Sequence, residues 1–256
     1  MCLIVFALEC HPKYRLVLAA NRDEYFARPT LPAGYWPDNP SILAGRDLQS
    51  GGTWMGVTTT GRLAAVTNFR DPKWYVQNPL SRGVLVADYL NGHMPPAEFL
   101  EYLKRSGHHY GGFNLLFGDP FGMFYYSNRS DAESVVSPGV HGLSNHLLDT
   151  PWPKVISAKE KLESLLGRDT EESEEYFAIL ADGTPFPDDT LPDTGVGIER
   201  ERILSSIFVN SRTYGTRFST LIFIDRAGRM RFMERRHGPQ HSSSATTEFG
   251  IMLQPT

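Results

Sequence analysis

The chain has 256 residues, 41% hydrophobic, 12% aromatic and 21% charged, which suffices for a sizeable core and excludes a disordered or low-complexity protein. Its 25 basic and 29 acidic side chains leave a net charge of −4, which excludes a nucleic-acid binder driven by bulk charge but not a local basic pocket. Two cysteines, Cys2 and Cys10, are too few for a disulfide scaffold or a four-cysteine zinc site.

Leu3–Leu8 reads as a buried strand and Tyr14–Ala20 as its partner, with His11-Pro12-Lys13 as the turn. An extended run from residue 2 to 10 separates the two cysteine Cα atoms by roughly 26 Å, against about 4.4–6.8 Å in a disulfide. The thiols therefore read as free, which fits a reducing compartment. The apolar opening has no basic start and is interrupted by Glu9-Cys10-His11, unlike a secretory leader. No stretch approaches the ~20 apolar residues of a membrane helix, so the expected location is cytoplasmic. Residues 25–50, rich in Pro, Gly and Asn, read as an ordered loop. Thr53–Val57 and Arg62–Thr67 form a second hairpin closed by Thr59-Thr60-Gly61.

Two helical runs follow, around Val84–Tyr89 and Phe99–Leu103, separated by Met94-Pro95-Pro96. Strands resume at Phe113–Phe117, Met123–Ser127 and Gly139–Leu143. Pro153–Leu166 is the clearest helix, with Val155, Ile156, Ala158, Leu162, Leu165 and Leu166 on one side, and Glu172–Ala181 is another. A polar loop spans 182–200. The chain closes with strands at Thr220–Asp225, Met230–Arg235 and Thr246–Met252, with Gly228 in the turn between the first two. Blocks of helices between antiparallel hairpins predict an α/β (α+β) fold, two sheets with helices outside them, in one domain over residues 1–256.

Met1-Cys2 carries the most chemistry. Methionine is trimmed from nascent chains when the second residue is small. Trimming would leave Cys2 with an α-amine, a usable base at neutral pH, beside a thiol that is a strong nucleophile once deprotonated. The other reading is a small buried hydrophobe at a strand start. The cluster Asn21-Arg22-Asp23-Glu24 follows an apolar strand, where sites often sit. In an extended chain Asn21 and Asp23 share one face and Arg22 and Glu24 the other. The bland alternative is a solvated strand end with an internal Arg–Glu pair.

The start Met1-Cys2-Leu3-Ile4, the tetrad Asn21–Glu24, Gly45-Arg46-Asp47, Gly51–Val57, Thr67-Asn68-Phe69-Arg70, Gly142-Leu143-Ser144-Asn145 and Leu148–Lys154 together resemble the NRDE family, also called the transport and Golgi organisation 2 family. That family in turn resembles the N-terminal nucleophile (Ntn) hydrolases of the cysteine branch, such as penicillin V acylase and bile salt hydrolase. The resemblance implies a four-layer αββα sandwich of two mainly antiparallel sheets. It makes Cys2 the nucleophile, Asp23 the carboxylate beside its amine, Asn68 an oxyanion donor and Asn145 the second asparagine of the reacting centre. Arg217 is a weaker match to the late arginine of that branch. Substrate contacts are expected from Asn21, Arg22, Glu24, Arg46, Trp54 and Arg217. One position departs from the hydrolases: the arginine they carry immediately before the asparagine is here Ala20, and the cluster's arginine is Arg22.

Asparagine amides donate to a developing oxyanion without adding charge, although a lone Asn in a turn more often caps its own backbone. Gly51-Gly52 either lets backbone approach a ligand or starts a strand. Trp54, Trp74 and Tyr75 line either a pocket or the core. Arg229, Arg231, Arg235, Arg236 and His237 read as a solvated strand face. His108-His109 lacks partners at metal-ligand spacing, so no metal site is proposed, and no Gly-rich phosphate loop is present. The expected activity is that of an amide hydrolase or acyltransferase on a small amide or thioester, requiring no cofactor. The alternative is a non-catalytic binding or trafficking protein on the same scaffold, with haem or acyl-coenzyme A as the ligand that the resemblance suggests. Either way the partner is a small molecule rather than nucleic acid; the sequence leaves the oligomeric state open.

Overall fold

The computed structural model describes residues 2–73, 76–119, 122–130, 132–168, 170–238 and 245–254. Met1, Trp74 and Tyr75, on which expectations fall, lie outside them. The described chain forms two compact units, each a sheet with its own helices.

The first unit comprises 1–27, 137–144 and 148–251. Its six-stranded sheet has the order β10-β1-β2-β11-β12-β13, from β10 (Gly139–Leu143), β1 (Cys2–Leu8), β2 (Tyr14–Tyr25), β11 (Tyr214–Asp225), β12 (Arg229–Arg236) and β13 (Ala245–Met252). Helix α3 (Pro153–Gly167) packs on β10 and β1, and α4 (Ser173–Leu180) on β11 and β2. The period of two decides which side chains meet them. Leu3, Val5, Ala7, Val17, Ala19, Leu221 and Phe223 form one core with Val155, Ala158, Leu162, Tyr176 and Leu180. The even-numbered face, with Ile4, Phe6, Leu18, Ala20 and Ile222, is buried as well. Cys2 and Arg22 belong to that second face; Asn21 and Asp23 belong to the helix-covered one.

The second unit comprises 28–136, 145–147 and 252–256. Its seven-stranded sheet runs β3-β4-β5-β6-β7-β8-β9 in chain order: β3 (Thr30–Trp36), β4 (Asn39–Asp47), β5 (Met55–Thr58), β6 (Leu63–Asn68), β7 (Phe113–Asp119), β8 (Gly122–Ser127) and β9 (Ala132–Val135). Every neighbouring pair is antiparallel. Helices α1 (Arg82–Asn91) and α2 (Pro96–Ser106) cover one face. Leu85, Tyr89, Phe99 and Leu103 pack there with Trp36, Ile42, Val66, Leu115 and Phe117.

The structure corrects several element expectations. Residues 25–50 are no loop; they fold into β3 and β4. Pro32 and Gly34 hide the alternation, and the β3–β4 register shifts between Leu31 and Gly34, a break an edge strand tolerates. The polar stretch 182–200 holds a 3₁₀ turn at Asp188–Thr190 and the start of a helix, α5 (Ile198–Ser205). Strand β11 begins at Tyr214 rather than Thr220. On α3, Ile156 is 43% exposed, while Lys154 is buried and donates from Nζ to the Leu204 carbonyl at 3.0 Å.

Candidate functional site

Cys2 is the first residue of β1 and is buried, while Cys10 is exposed; both are free thiols. In the β1–β2 ladder Cys2 stands directly opposite Arg22. Opposed residues of an antiparallel pair share a face, with Cβ atoms about 4.5–5.5 Å apart. Burial pushes the Cys2 thiol up, the nearby Asp23 charge adds to the rise, and Arg22 and a hydrogen bond from the Asp23 backbone amide oppose it. The Cys2 carbonyl accepts a hydrogen bond from Ser144 Oγ at 3.1 Å. The nucleophile candidate is thus held at its backbone by the residue that follows β10.

Asp23 is buried one step beyond Cys2's partner in the register. Its Oδ1 accepts from Thr216 Oγ1 at 2.7 Å, and its carbonyl accepts from Tyr214 Oη at 2.9 Å. Thr216 Oγ1 also accepts from the Val209 amide at 2.9 Å, so one hydroxyl ties a loop to the carboxylate. Asn21 is fully buried in structural bonds: its Nδ2 donates to the carbonyls of Leu180 at 2.8 Å and Ile207 at 2.9 Å. Its Oδ1 accepts from Ser219 Oγ at 2.6 Å. Arg22 Nη2 lies 3.8 Å from Glu24 Oε2, an ion pair beyond hydrogen-bond distance. Arg217 is the extra residue of a β-bulge, where the β11–β2 register jumps from Thr216 to Phe218; its Nη1 donates to the Tyr25 carbonyl at 3.4 Å. The bulge explains why an alternation-based reading starts β11 late.

The first unit therefore gathers Cys2, Asn21, Arg22, Asp23, Glu24 and Arg217. The other predicted site residues lie in the second unit. There Asn68 ends β6, half-buried, and its side-chain amide has no protein hydrogen bond among the described residues. Asn145 is fully buried and donates from Nδ2 to the Asn68 carbonyl at 2.9 Å. The Asn145 carbonyl accepts the Arg70 amide at 2.7 Å, and its Oδ1 lies 3.4 Å from Arg70 Nη2. Asn145 thus braces the backbone from which Asn68 projects. Arg46 is engaged by both oxygens of Asp38, at 2.7 Å each, and stacks over Trp36. Trp54 packs half-buried against the second core. Gly52 has φ of +74°, and a Cβ there would fall 2.3 Å from the Gly83 carbonyl, so this glycine serves the approach of α1.

Ser144, Thr216, Tyr214 and Arg70 escape sequence reasoning as site residues. Ser144 and Arg70 stand inside quoted motifs, but their partners become visible only through the ladder registers. Three basic residues of β12 are ion-paired: Arg229 with Asp225, Arg231 with Glu248 and Arg235 with Glu174. No helix among the described residues is long and apolar enough to cross a membrane.

Two mainly antiparallel sheets, each with helices on one face, and a cysteine opening the first strand define an Ntn-hydrolase-like fold. The solved structure of the C2A mutant of conjugated bile acid hydrolase from Clostridium perfringens matches at a TM-score of 0.54 and 9% identity, covering 100% of this chain and 95% of that one. The profile of the Transport and Golgi organisation 2 family matches residues 1–239, and the chain belongs to that family. It is 38% identical to the transport and Golgi organization protein 2 homolog of Bos taurus over 98% of this chain and 99% of the relative. To the human homolog it is 36% identical over 92% of each.

Proposed function

We propose that this chain is an Ntn-type acyl hydrolase or acyltransferase, acting on a small amide or thioester through Cys2. The observation that carries the reading is the setting of Cys2: buried at the start of a core strand, braced through its carbonyl by Ser144, with Arg22 opposite it and Asp23 one step further along the partner strand. Burial raises the thiol, so a base must take its proton as it attacks. After removal of Met1, the Cys2 α-amine is that base. The Cys2 sulfur bonds to the carbonyl carbon, the carbonyl electron pair moves to oxygen, and the α-amine receives the thiol proton. Collapse of the tetrahedral intermediate breaks the bond to the amine or thiol leaving group, which takes that proton. Water, or an acceptor nucleophile, then cleaves the acyl-cysteine thioester. Asp23 steadies the α-ammonium.

The test is intact mass followed by a β-lactone probe. The expected results are a chain one methionine lighter than encoded and a single acyl adduct on Cys2. Retained Met1 with no adduct at Cys2 overturns the reading. Saturable binding of haem or acyl-coenzyme A would then favour the carrier alternative. The free thiols of Cys2 and Cys10 favour a reducing, cytoplasmic setting.

A further inference from the structure

Arg22 is buried, with 6% of its surface exposed. Its Nη1 is shielded from solvent and has no hydrogen-bond partner, and its Nη2 has only the loose 3.8 Å pairing with Glu24. A guanidinium is permanently charged and carries five donors. Burying one with an unused donor nitrogen is costly unless something satisfies it. A structural arginine would be expected to hold backbone carbonyls, as Arg226 does with those of Pro12 and His11. Arg22 instead stands opposite the nucleophile candidate on the same face of the sheet.

We propose that Arg22 binds a carboxylate of the substrate, and that this carboxylate lies within about three bonds of the carbonyl that Cys2 attacks. The inference rests on the nucleophile reading of Cys2 and narrows its substrate class. The distance limit follows from the register. Cβ atoms of directly opposed residues are about 4.5–5.5 Å apart, and the Arg22 charge acts on the Cys2 thiol itself, so a group held by Arg22 lies close to the sulfur. A charge at the far end of a long carrier is too remote from the reacting carbonyl to be the group bound. Two chemistries meet the limit. In an N-acyl amino acid the carboxylate is on the leaving-group side; in the monoamide of a short dicarboxylic acid it is on the acyl side.

Paired alkylation of the intact protein tests this. Iodoacetate and iodoacetamide differ in a carboxylate beside the reacting carbon. The exposed Cys10 of the same molecule reports the intrinsic ratio of the two reagents. Rates are read separately at Cys2 and Cys10 by peptide mass spectrometry. The expected result is an iodoacetate preference at Cys2 roughly tenfold or more above that at Cys10, the scale of one charge-assisted hydrogen bond. Arg22→Gln should remove the preference and Arg22→Lys should keep part of it. If either variant fails to fold, the wild-type ratio decides alone. Protection of Cys2 by N-acetylglycine assigns the carboxylate to the leaving group, and protection by succinamate assigns it to the acyl side. Equal ratios at Cys2 and Cys10, or protection by neither compound, overturn the carboxylate site while leaving the nucleophile reading standing. Failure of both reagents at Cys2 overturns both.

Discussion

Ser144 touches Cys2 through its backbone rather than its thiol, which makes it a positioning residue for the proposed chemistry. Ser144→Ala removes the hydrogen bond to the Cys2 carbonyl, the loss of which is expected to cost about 0.5–1.5 kcal/mol of stability. The expected signature is a fall in β-lactone acylation of Cys2 with the alkylation of Cys10 unmoved. Asp23 and Thr216 separate structure from chemistry in the same way. Thr216→Val leaves the buried Val209 amide without its acceptor and should cost about 1–3 kcal/mol, read by denaturant melts. Asp23→Asn keeps a side-chain oxygen for Thr216 and leaves the backbone carbonyl that Tyr214 bonds untouched, but removes the carboxylate's charge. It is expected to slow acylation at Cys2 well beyond any loss of stability; a variant that only melts earlier would make Asp23 a fold residue. Cys2 and Asp23 can be read from the sequence because each stands in a recognisable local motif. Thr216 cannot: it lies 193 residues from the carboxylate it holds, and only the β2–β11 register brings the two together.

At the scale of elements, the turn after β10 decides where Ser144 sits, and one carboxylate fastens it. Asp149 has a left-handed φ of 57°, a conformation that Asp tolerates. It receives bonds from the Gly142 amide at 2.9 Å, from Lys159 Nζ at 2.7 Å and from His141 Nδ1 at 2.7 Å. Burial pushes its carboxyl up, but these donors outweigh burial and hold it at about 2, below its ordinary 3.8. The Asp149 contact raises His141 above its ordinary 6.5, with burial opposing. Asp149's contribution is therefore present above its unfolded value and lost as pH falls through about 2. The His141 contribution is full below 6.5 and lost as pH rises through the raised value. Asp149→Asn is accordingly expected to destabilise more at about pH 5.5 than at about pH 9, checked by urea melts at both. Elements with unbroken periodicity, such as β1, β2 and α3, are legible in the sequence because burial imposes that period. β3, β4 and the first turn of β11 are not, because Pro32, Gly34 and the Arg217 bulge interrupt the alternation. α5 reads as loop because Ile198-Glu199-Arg200-Glu201-Arg202 offers little apolar face.

At the scale of the whole molecule, the covalent path bears on how the chain folds. It leaves the first unit after Ala27, returns at Ser137, leaves again for residues 145–147, and returns at Leu148. The second unit thus owns a three-residue insert, bearing Asn145, in the middle of the first. Asn145 bonds to Asn68 and Arg70 within its own unit, while its chain neighbour Ser144 bonds to Cys2 within the other. The single-domain reading of residues 1–256 predicts one cooperative unfolding transition. The measurement uses one core truncation in each unit. Leu162, in the first core, and Leu103, in the second, are both fully buried, and Leu→Ala at such sites costs about 2–5 kcal/mol. Each variant is expected to lower one shared transition seen identically by circular dichroism and by calorimetry. Two transitions, with Leu162→Ala moving one and Leu103→Ala the other, would show that the units melt independently.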